Sequence, residues 1–398
     1  MRIGFDVSQT GRTKAGCGYL ADGLIRELSK IDAENEYVLY PAVGDVFWDP
    51  DCARDTFHCN LPNFRRQPAP KSFEASQSFW RNPGEDFDEA LGSPDIFHAN
   101  NFYCPSGLRR ARLIYTLYDL AFISHPDWTT EANRLGCFYG MFRASLKADL
   151  IVSISESSRK HFLEVFPHYP ADRVVVVYPG SRFPSPVELP RPEALRRFQP
   201  GKFWLSVATL EPRKNHKRLL RAYAALKQKR PDPLPLVLCG GKGWLMDEFE
   251  SELASLGLTE DVILTGYLEN DALQWLYQNC FAFVYPSYFE GFGLPVLEAM
   301  SLGAPVIASK ATSIPEIVGS AGLLIDPYDE ASILSAMERL LGGEVSRDRL
   351  RSAGREQASL FSWEASARQM LELYRQVALP EYRCLAEADQ MSVAATTS

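Results

Sequence analysis

Tyr285-Pro286-Ser287-Tyr288-Phe289-Glu290-Gly291-Phe292-Gly293-Leu294-Pro295-Val296-Leu297-Glu298-Ala299-Met300 is the stretch on which the reading of this chain turns. The apolar run 281–285 predicts a buried strand, which enters a loop with two glycines. Pro295 suits the first turn of a helix, because its φ is fixed near the helical value and its missing N–H would have no partner there. Gly291 and Gly293 let the backbone come close to a ligand. The free amides of a helix N-terminus attract anions, phosphate above all.

Two carboxylates flank that anion site, Glu290 in the loop and Glu298 one turn into the helix. Beside a phosphate they would repel it, so they need other partners. Each ionised carboxylate can accept two O–H donors, as sugar hydroxyls would supply. A polyol on each side of a diphosphate describes a nucleotide-sugar. The plainer alternative is an ordinary strand–loop–helix in which Glu298 merely complements the helix dipole. The grouping of both acids, both glycines and Pro295 in one short segment weighs against it.

Glu290 and Glu298, seven residues apart across Gly-Phe-Gly-Leu-Pro, resemble the E-x7-E signature of retaining glycosyltransferases of the GT-B fold, family GT4, of mannosyltransferase-like type. Thr209-Leu210-Glu211-Pro212-Arg213-Lys214-Asn215 and Ile314-Pro315-Glu316-Ile317-Val318-Gly319 resemble the same family, and the likeness runs from residue 1 to about Tyr374. It implies an α/β chain of two doubly wound Rossmann-like domains, with a cleft between them and a C-terminal crossover helix. The second domain would hold a nucleotide-diphosphate sugar and the first the acceptor.

Bulk properties agree with that class. At 398 residues the chain is long for one hydrophobic core, so two domains are expected. A net charge of −8 argues against general nucleic-acid binding. Arg2-Ile3-Gly4-Phe5-Asp6-Val7 reads as a first strand rather than a signal segment, and no apolar run approaches the ~20 residues of a membrane span. The eight cysteines are scattered without paired short spacings, indicating neither zinc nor a disulfide frame. Reduced thiols and a cytoplasmic location are expected.

The first strand feeds the glycine-rich loop 8–18 and a helix at 19–28, a βα unit whose loop lies where such sheets bind ligands. The resemblance implies that Gly16 and Gly18 face the donor diphosphate and the acceptor; tight helix–strand packing explains Gly18 equally well. Residues 41–93 read as irregular material that sets acceptor choice or is simply solvated. Strands follow at 95–99 and 112–117, the second ending in Tyr118-Asp119-Leu120. Relatives usually carry His-Asp-Leu here, the His contacting the donor sugar, and Tyr118 departs from that pattern. Helix 131–147 is read with Phe138, Tyr139, Met141, Phe142 and Leu146 on its apolar side and with Arg134 and Arg143 off that side, toward the cleft or solvent. Ser155 is a good N-cap for the next helix. The all-apolar run 174–178 predicts a strand buried on both faces. Prolines recur through 183–201, read as a connector between domains 1–182 and 202–362. A last helix at about 363–380 is expected back on the first domain, with a disordered tail at 391–398.

A diphosphate leaving group calls for fixed cations. Arg213 and Lys214, at a strand end, are the candidates; Lys214 aligns with the family lysine, whereas Arg213 either replaces an arginine that relatives carry further upstream or is a surface charge. Gly240, Gly241, Tyr267 and Leu268 would wall the base pocket, Gly291, Phe292, Gly293 and Leu294 would cup the diphosphate, Glu298 would bind the ribose and Glu290 the donor sugar. Asp119 joins Tyr118 on the donor side. No Asp-x-Asp stands at a strand end of the second half, so metal-independent transfer without a cofactor is expected. The resemblance implies retention of configuration, and with Glu290 occupied as a hydroxyl binder a front-face route is favoured over a covalent one. The expected reaction moves a hexose, mannose from GDP-mannose in preference to a UDP-sugar, onto a glycan or lipid-linked glycan of a bacterial surface polysaccharide. A lipid-linked acceptor implies peripheral contact with the inner membrane face, for which Arg109-Arg110-Ala111-Arg112 and Arg65-Arg66 are candidates unless merely solvated. The competing readings are a GT-B pseudoenzyme or scaffold, which Tyr118 favours, and a GT-B-like nucleotide-sugar epimerase, which the Glu290/Glu298 pair disfavours.

Overall fold

The computed structural model describes residues 1–382 apart from 13, 15, 45–54, 71, 231–233, 242 and 244–248. Lys242, the start of the helix expected at 245–256 and the tail 391–398 therefore lie outside the described residues. The chain forms two compact units. The first comprises Met1–Ile123 and Thr130–Gly180 together with the C-terminal helix; the second comprises Ser124–Thr129 and Ser181–Ser362. The proline-rich stretch 183–201 is grouped with the second unit rather than standing apart.

The first unit is built on seven parallel strands, β1 (Arg2–Asp6), β2 (Glu36–Tyr40), β3 (Phe64–Arg66), β4 (Ile96–Ala99), β5 (Arg112–Leu117), β6 (Leu150–Ser153) and β7 (Val174–Val176), in the order β3-β2-β1-β4-β5-β6-β7. Inner strands such as β4 and β6 are buried along their whole length, as expected where helices cover both sheet faces. The run 174–176 is instead an edge strand with two half-buried residues, which corrects its reading as buried on both faces. Residues 41–93 are more regular than expected. They supply β3, which pairs with β2 through a Tyr37–Phe64 stack at 4.4 Å, and helices Phe73–Arg81 and Phe87–Ala90. The first helix runs Gly16–Ile31, longer at both ends than its periodic core indicated. Ser155 caps the next helix by accepting from Ser158 N at 3.0 Å.

The C-terminal helix Trp363–Ala378 packs on Gly16–Ile31. Two glycines make room for its first residue: a Cβ on Gly23 would lie 2.4 Å from the Trp363 ring, and one on Gly180 2.5 Å from Trp363 N. Deeper in, Tyr374 OH lies 2.6 Å from His98 Nδ1, and His98 Nε2 lies 2.9 Å from Thr116 Oγ1. Burial pushes the His98 pKa down to about 3, so this imidazole is neutral and structural.

The second unit has six parallel strands, β8 (Trp204–Val207), β9 (Leu236–Cys239), β10 (Val262–Gly266), β11 (Ala282–Tyr285), β12 (Val306–Ser309) and β13 (Leu323–Ile325), ordered β10-β9-β8-β11-β12-β13. The chain winds outward from β8 to β10 and then returns to the other side of β8. The carboxyl ends of β8 and β11 thus form the topological switch point, where doubly wound sheets bind ligands. No described helix is long and apolar enough to cross a membrane, and all six described cysteines are free.

Candidate active site

Two segments meet at that switch point. After β8 the chain makes a 3-10 turn, Pro212–Lys214, and passes through Asn215 in the left-handed region at φ 61°. Asn215 Nδ2 donates to Pro286 O at 2.9 Å and Pro327 O at 2.7 Å, fixing the turn against the loop after β11. From the other side Tyr288 N donates to Arg213 O at 2.9 Å. The loop beyond is held by its own polar contacts: Glu290 N donates to Thr312 Oγ1 at 2.9 Å, and Ser313 Oγ reaches Glu290 O at 2.9 Å and Phe292 O at 2.7 Å. Gly293, at φ 119°, turns the chain into helix Leu294–Ser301; a Cβ there would lie 2.6 Å from Ile314 Cδ1.

This folding drives Glu290 into a buried cluster of donors. Its Oε1 accepts from Lys214 Nζ at 2.8 Å, Tyr285 OH at 2.9 Å and Ser287 Oγ at 2.5 Å. Its Oε2 accepts from Arg213 Nη1 and Lys214 Nζ, both at 3.0 Å. Arg213 also grips buried Glu211 Oε1 through Nε at 3.0 Å and Nη2 at 2.7 Å. Burial alone would raise the Glu290 pKa; the charges of Lys214 and Arg213 outweigh it and bring the carboxyl down to about 2. Burial, then the adjacent Arg213, lower Lys214, with Glu290 pulling the other way. The two cations and two carboxylates sum to zero, so the cluster sits in the interior without net charge. Arg213, with a side chain 21% exposed, belongs to this cluster and is not a stray surface charge. Glu290 has all its acceptor capacity engaged by protein donors, and a sugar hydroxyl binds it only by displacing one of them.

Glu298 lies on the helix that follows, fully buried. Arg182 holds it in a fork, Nε to Oε1 at 2.5 Å and Nη2 to Oε2 at 2.9 Å, and Tyr277 OH adds a bond at 3.0 Å. That is more than decoration of a helix dipole. Around these acids Gly291, Phe292 and Gly293 are buried, and Phe292 packs edge-on against Phe361 at 5.9 Å. Gly240, at φ 152°, ends β9 so close to β8 that a Cβ would lie 2.0 Å from Ala208 O. Tyr267 and Leu268 follow β10, the tyrosine 56% exposed.

The remaining expected residues lie in the first unit. Gly16 opens its helix with free space around it, whereas a Cβ on Gly18 would lie 2.0 Å from Gln9 O, the close approach that favours the packing explanation. Tyr118 is buried; its hydroxyl donates to Asn100 O at 2.6 Å and its carbonyl accepts from Ser158 Oγ at 2.9 Å. Asp119 Oδ1 accepts from Ala121 N at 3.0 Å and starts the short helix Ala121–Ser124. Sequence reasoning missed Arg182, Glu211, Tyr285, Ser287, Thr312 and Ser313. Glu211, Tyr285 and Ser287 stand inside the quoted motifs, so their donors and charge were in view; Arg182 lies 116 positions from Glu298 and carries no local signal.

Two parallel-sheet Rossmann-like domains are the architecture of GT-B enzymes. Anabaena Alr3699/HepE, solved in complex with UDP and glucose, matches 94% of this chain and 100% of its own with a TM-score of 0.71 at 19% identity. The chain belongs to the group 1 glycosyltransferase family: the profile described as "Glycosyl transferases group 1" matches residues 191–357, and the Escherichia coli "O-antigen chain mannosyltransferase B" is 37% identical over 289 residues, 70% of this chain and 74% of that protein. The E. coli "Serotype-specific mannosyltransferase WbdA" is 32% identical over 371 residues, 86% of this chain but 43% of that longer protein.

Proposed function

We propose that this glycosyltransferase moves mannose from GDP-mannose to a growing surface glycan, with retention of configuration and without a metal. The observation that carries the reading is the Glu290–Lys214–Arg213 cluster at the β8/β11 switch point, beside the amides of residues 291–294. In the free enzyme Glu290 keeps the two cations paired and aimed. When a diphosphate arrives, its oxygens compete for Lys214 and Arg213, and each donor that turns to phosphate frees a lone pair on Glu290 for a sugar hydroxyl. As the glycosidic bond breaks, negative charge grows on the leaving phosphate, next to cations that are already in place. Glu298, held by Arg182 and Tyr277, is the second carboxylate, positioned for the ribose diol. A Glu290 that accepts five hydrogen bonds from four donor groups, any lost to the phosphate being replaced by a sugar hydroxyl, is a poor nucleophile, which supports a front-face route in which the leaving phosphate takes the acceptor proton.

Two mannosyltransferase relatives support mannose, and the UDP-bound fold neighbour keeps a UDP-sugar as the alternative. A lipid-linked acceptor would hold the enzyme at the cytoplasmic membrane face. The test is transfer from GDP-mannose, UDP-glucose and UDP-galactose in excess EDTA, with the product anomer read by NMR. An α-mannoside formed from GDP-mannose at an undiminished rate supports every part. An inverted product, EDTA inhibition reversed by a divalent cation, or faster use of a UDP-sugar overturns the corresponding part. Buried Tyr118 favours the scaffold reading; nucleotide release by the wild type and not by Glu290→Ala excludes it.

A further inference from the structure

Asn215 ties together three loops at the carboxyl edge of the second sheet. Its bonds to Pro286 O and Pro327 O set the residues just beyond those carbonyls, Tyr288 after β11 and Tyr328 after β13. Backbone bonds complete the placement: Tyr288 N donates to Arg213 O and Tyr328 N to Asp326 Oδ1, both at 2.9 Å. The two rings stack with centroids 4.9 Å apart and planes at 26°. Trp128, from the segment Ser124–Thr129 that groups with this unit, stacks on Tyr288 at 5.8 Å and 21°. Over the tyrosine pair lies Arg218, in the first turn of helix His216–Lys229, at 5.3 Å from the Tyr288 centroid and 6.0 Å from that of Tyr328.

These side chains face water. Tyr328 is 59% exposed, and Tyr288 and Arg218 are half-buried. Neither phenol hydroxyl, nor the guanidinium, has a hydrogen-bond or ion-pair partner among the described residues. Centroid separations of 4.9 and 5.8 Å mark an offset stack, in which each ring leaves part of a face open. Rigid rings with a polar tip suit a partner that is apolar on one face and polar at its rim. A pyranose is such a partner, because its C–H bonds make one face apolar and hydroxyls line its edge. Those hydroxyls accept from Arg218 and exchange hydrogen bonds with the phenols. A purely apolar partner would leave the guanidinium donors unmet. A nucleotide base would stack too, but the proposed base pocket at β9 and β10 lies on the other side of β8 from β11 and β13. Tyr288 stands two residues from Glu290, beside the proposed place of the donor sugar.

We infer that Tyr288, Tyr328 and Arg218 hold a pyranose of the acceptor glycan, a ring behind the one that receives the hexose. The inference rests on the proposal of a glycan acceptor, and it puts part of acceptor recognition on the unit that the family resemblance gives to the donor. Trp128 braces Tyr288 in this site.

The test is saturation-transfer NMR with mannotriose and, separately, maltotriose, in the presence of GDP, which reads glycan binding without turnover. Wild type, Tyr328→Ala, Tyr328→Phe and Arg218→Gln are compared, with Tyr139→Ala, an equally exposed tyrosine of the first unit, as control and circular dichroism to verify folding. Mannotriose affinity should fall about five- to ten-fold in Tyr328→Ala and about three-fold in Arg218→Gln, and stay within about two-fold of wild type in Tyr328→Phe and Tyr139→Ala. In steady-state transfer the loss should appear in the KM for the glycan rather than for the nucleotide-sugar, and should be larger for mannotriose than for methyl mannoside, which has no second ring. Failure of the wild type to bind either trisaccharide, equal binding by the folded variants, or a loss that falls on the donor KM overturns the inference. So does a Tyr328→Phe loss as large as that of Tyr328→Ala, since the ring face would then not be what binds. Undiminished transfer to mannotriose by Tyr328→Ala overturns the inference and leaves mannosyl transfer standing. If maltotriose binds instead of mannotriose and loses affinity in Tyr328→Ala, the mannose proposal fails and the stacking site stands.

Discussion

Replacing Glu290 by glutamine keeps the shape of the side chain and removes one buried charge. The carboxylate accepts five hydrogen bonds at 2.5–3.0 Å; an amide in its place can meet the Oε1 donors but turns an N–H₂ toward Arg213 and Lys214, which are themselves donors. Arg213 retains Glu211, while Lys214 keeps an uncharged oxygen at the Oε1 position and Tyr285 OH at 3.0 Å but loses its contact with Oε2 and its only charge partner in the cluster. The magnitude follows from the titration of the acid. Its pKa falls from 4.5 in the unfolded chain to about 2 in the fold, and at ~1.4 kcal/mol per unit that is about 3 kcal/mol of stability at neutral pH. Because the folded value is depressed, this stability is fully present above pH 4.5 and is lost as pH falls from there through about 2. Urea denaturation at pH 7 should therefore show Glu290→Gln destabilised by about 3–5 kcal/mol, the range for breaking one side of a buried pair. Lys214→Met should cost a similar amount, and the double variant less than the sum, with a coupling of about 2–3 kcal/mol. The gap between wild type and Glu290→Gln should narrow as the pH is taken below 4. Additive single changes, or a gap that does not depend on pH, would show that the cluster is not the coupled ion group described here.

Glu298→Gln unmakes the Arg182 fork; thermal-shift titration with GDP should show nucleotide affinity reduced ten-fold or more, whereas Arg368→Gln on the exposed face of the last helix should leave it unchanged. Gly293→Ala places a methyl against Ile314 at a backbone angle that disfavours any side chain, and should lower the urea midpoint by an amount equivalent to ~2 kcal/mol or more. Trp363→Ala empties the notch formed by Gly23 and Gly180 and should cost about 3–5 kcal/mol in the same assay, with the loss seen first in probes of the first unit.

What could be read in advance divides along physical lines. Strands β8, β9, β11 and β12 are covered on both faces, so each is a short continuous apolar run flanked by loop residues and visible without a partner. Edge strands lack that signature: β3 is Phe-Arg-Arg, with both arginines exposed, and was hidden in polar sequence. In helix Glu131–Lys147 the apolar side read from the sequence is divided, because periodicity identifies a stripe but not how much of it is covered: Met141 is buried with Cys137, Gly140, Ala144 and Ser145, whereas Tyr139, Phe142 and Leu146 are exposed. At the site, Glu290, Arg213 and Lys214 were legible because each stands beside a strand end at the switch point. Their mutual pairing was not, since a motif names donors and acceptors without saying whether they meet a ligand or one another. Arg182 was illegible altogether.

The first unit is interrupted in sequence: residues 181–362 must be made between its last strand and the helix that covers Gly16–Ile31 and sends Tyr374 to His98. At ribosomal speeds of ~5–20 residues per second, that interval lasts roughly 10–40 s. Throughout it Leu20, Leu24 and the neighbouring β4 surface wait uncovered, a sticky half-core on a nascent chain. The order of events during synthesis is thus inverted, with the later-made unit able to close before the earlier one. Chains cut short anywhere between 181 and 362 would leave the first unit unfinished even though every strand of its sheet had been made.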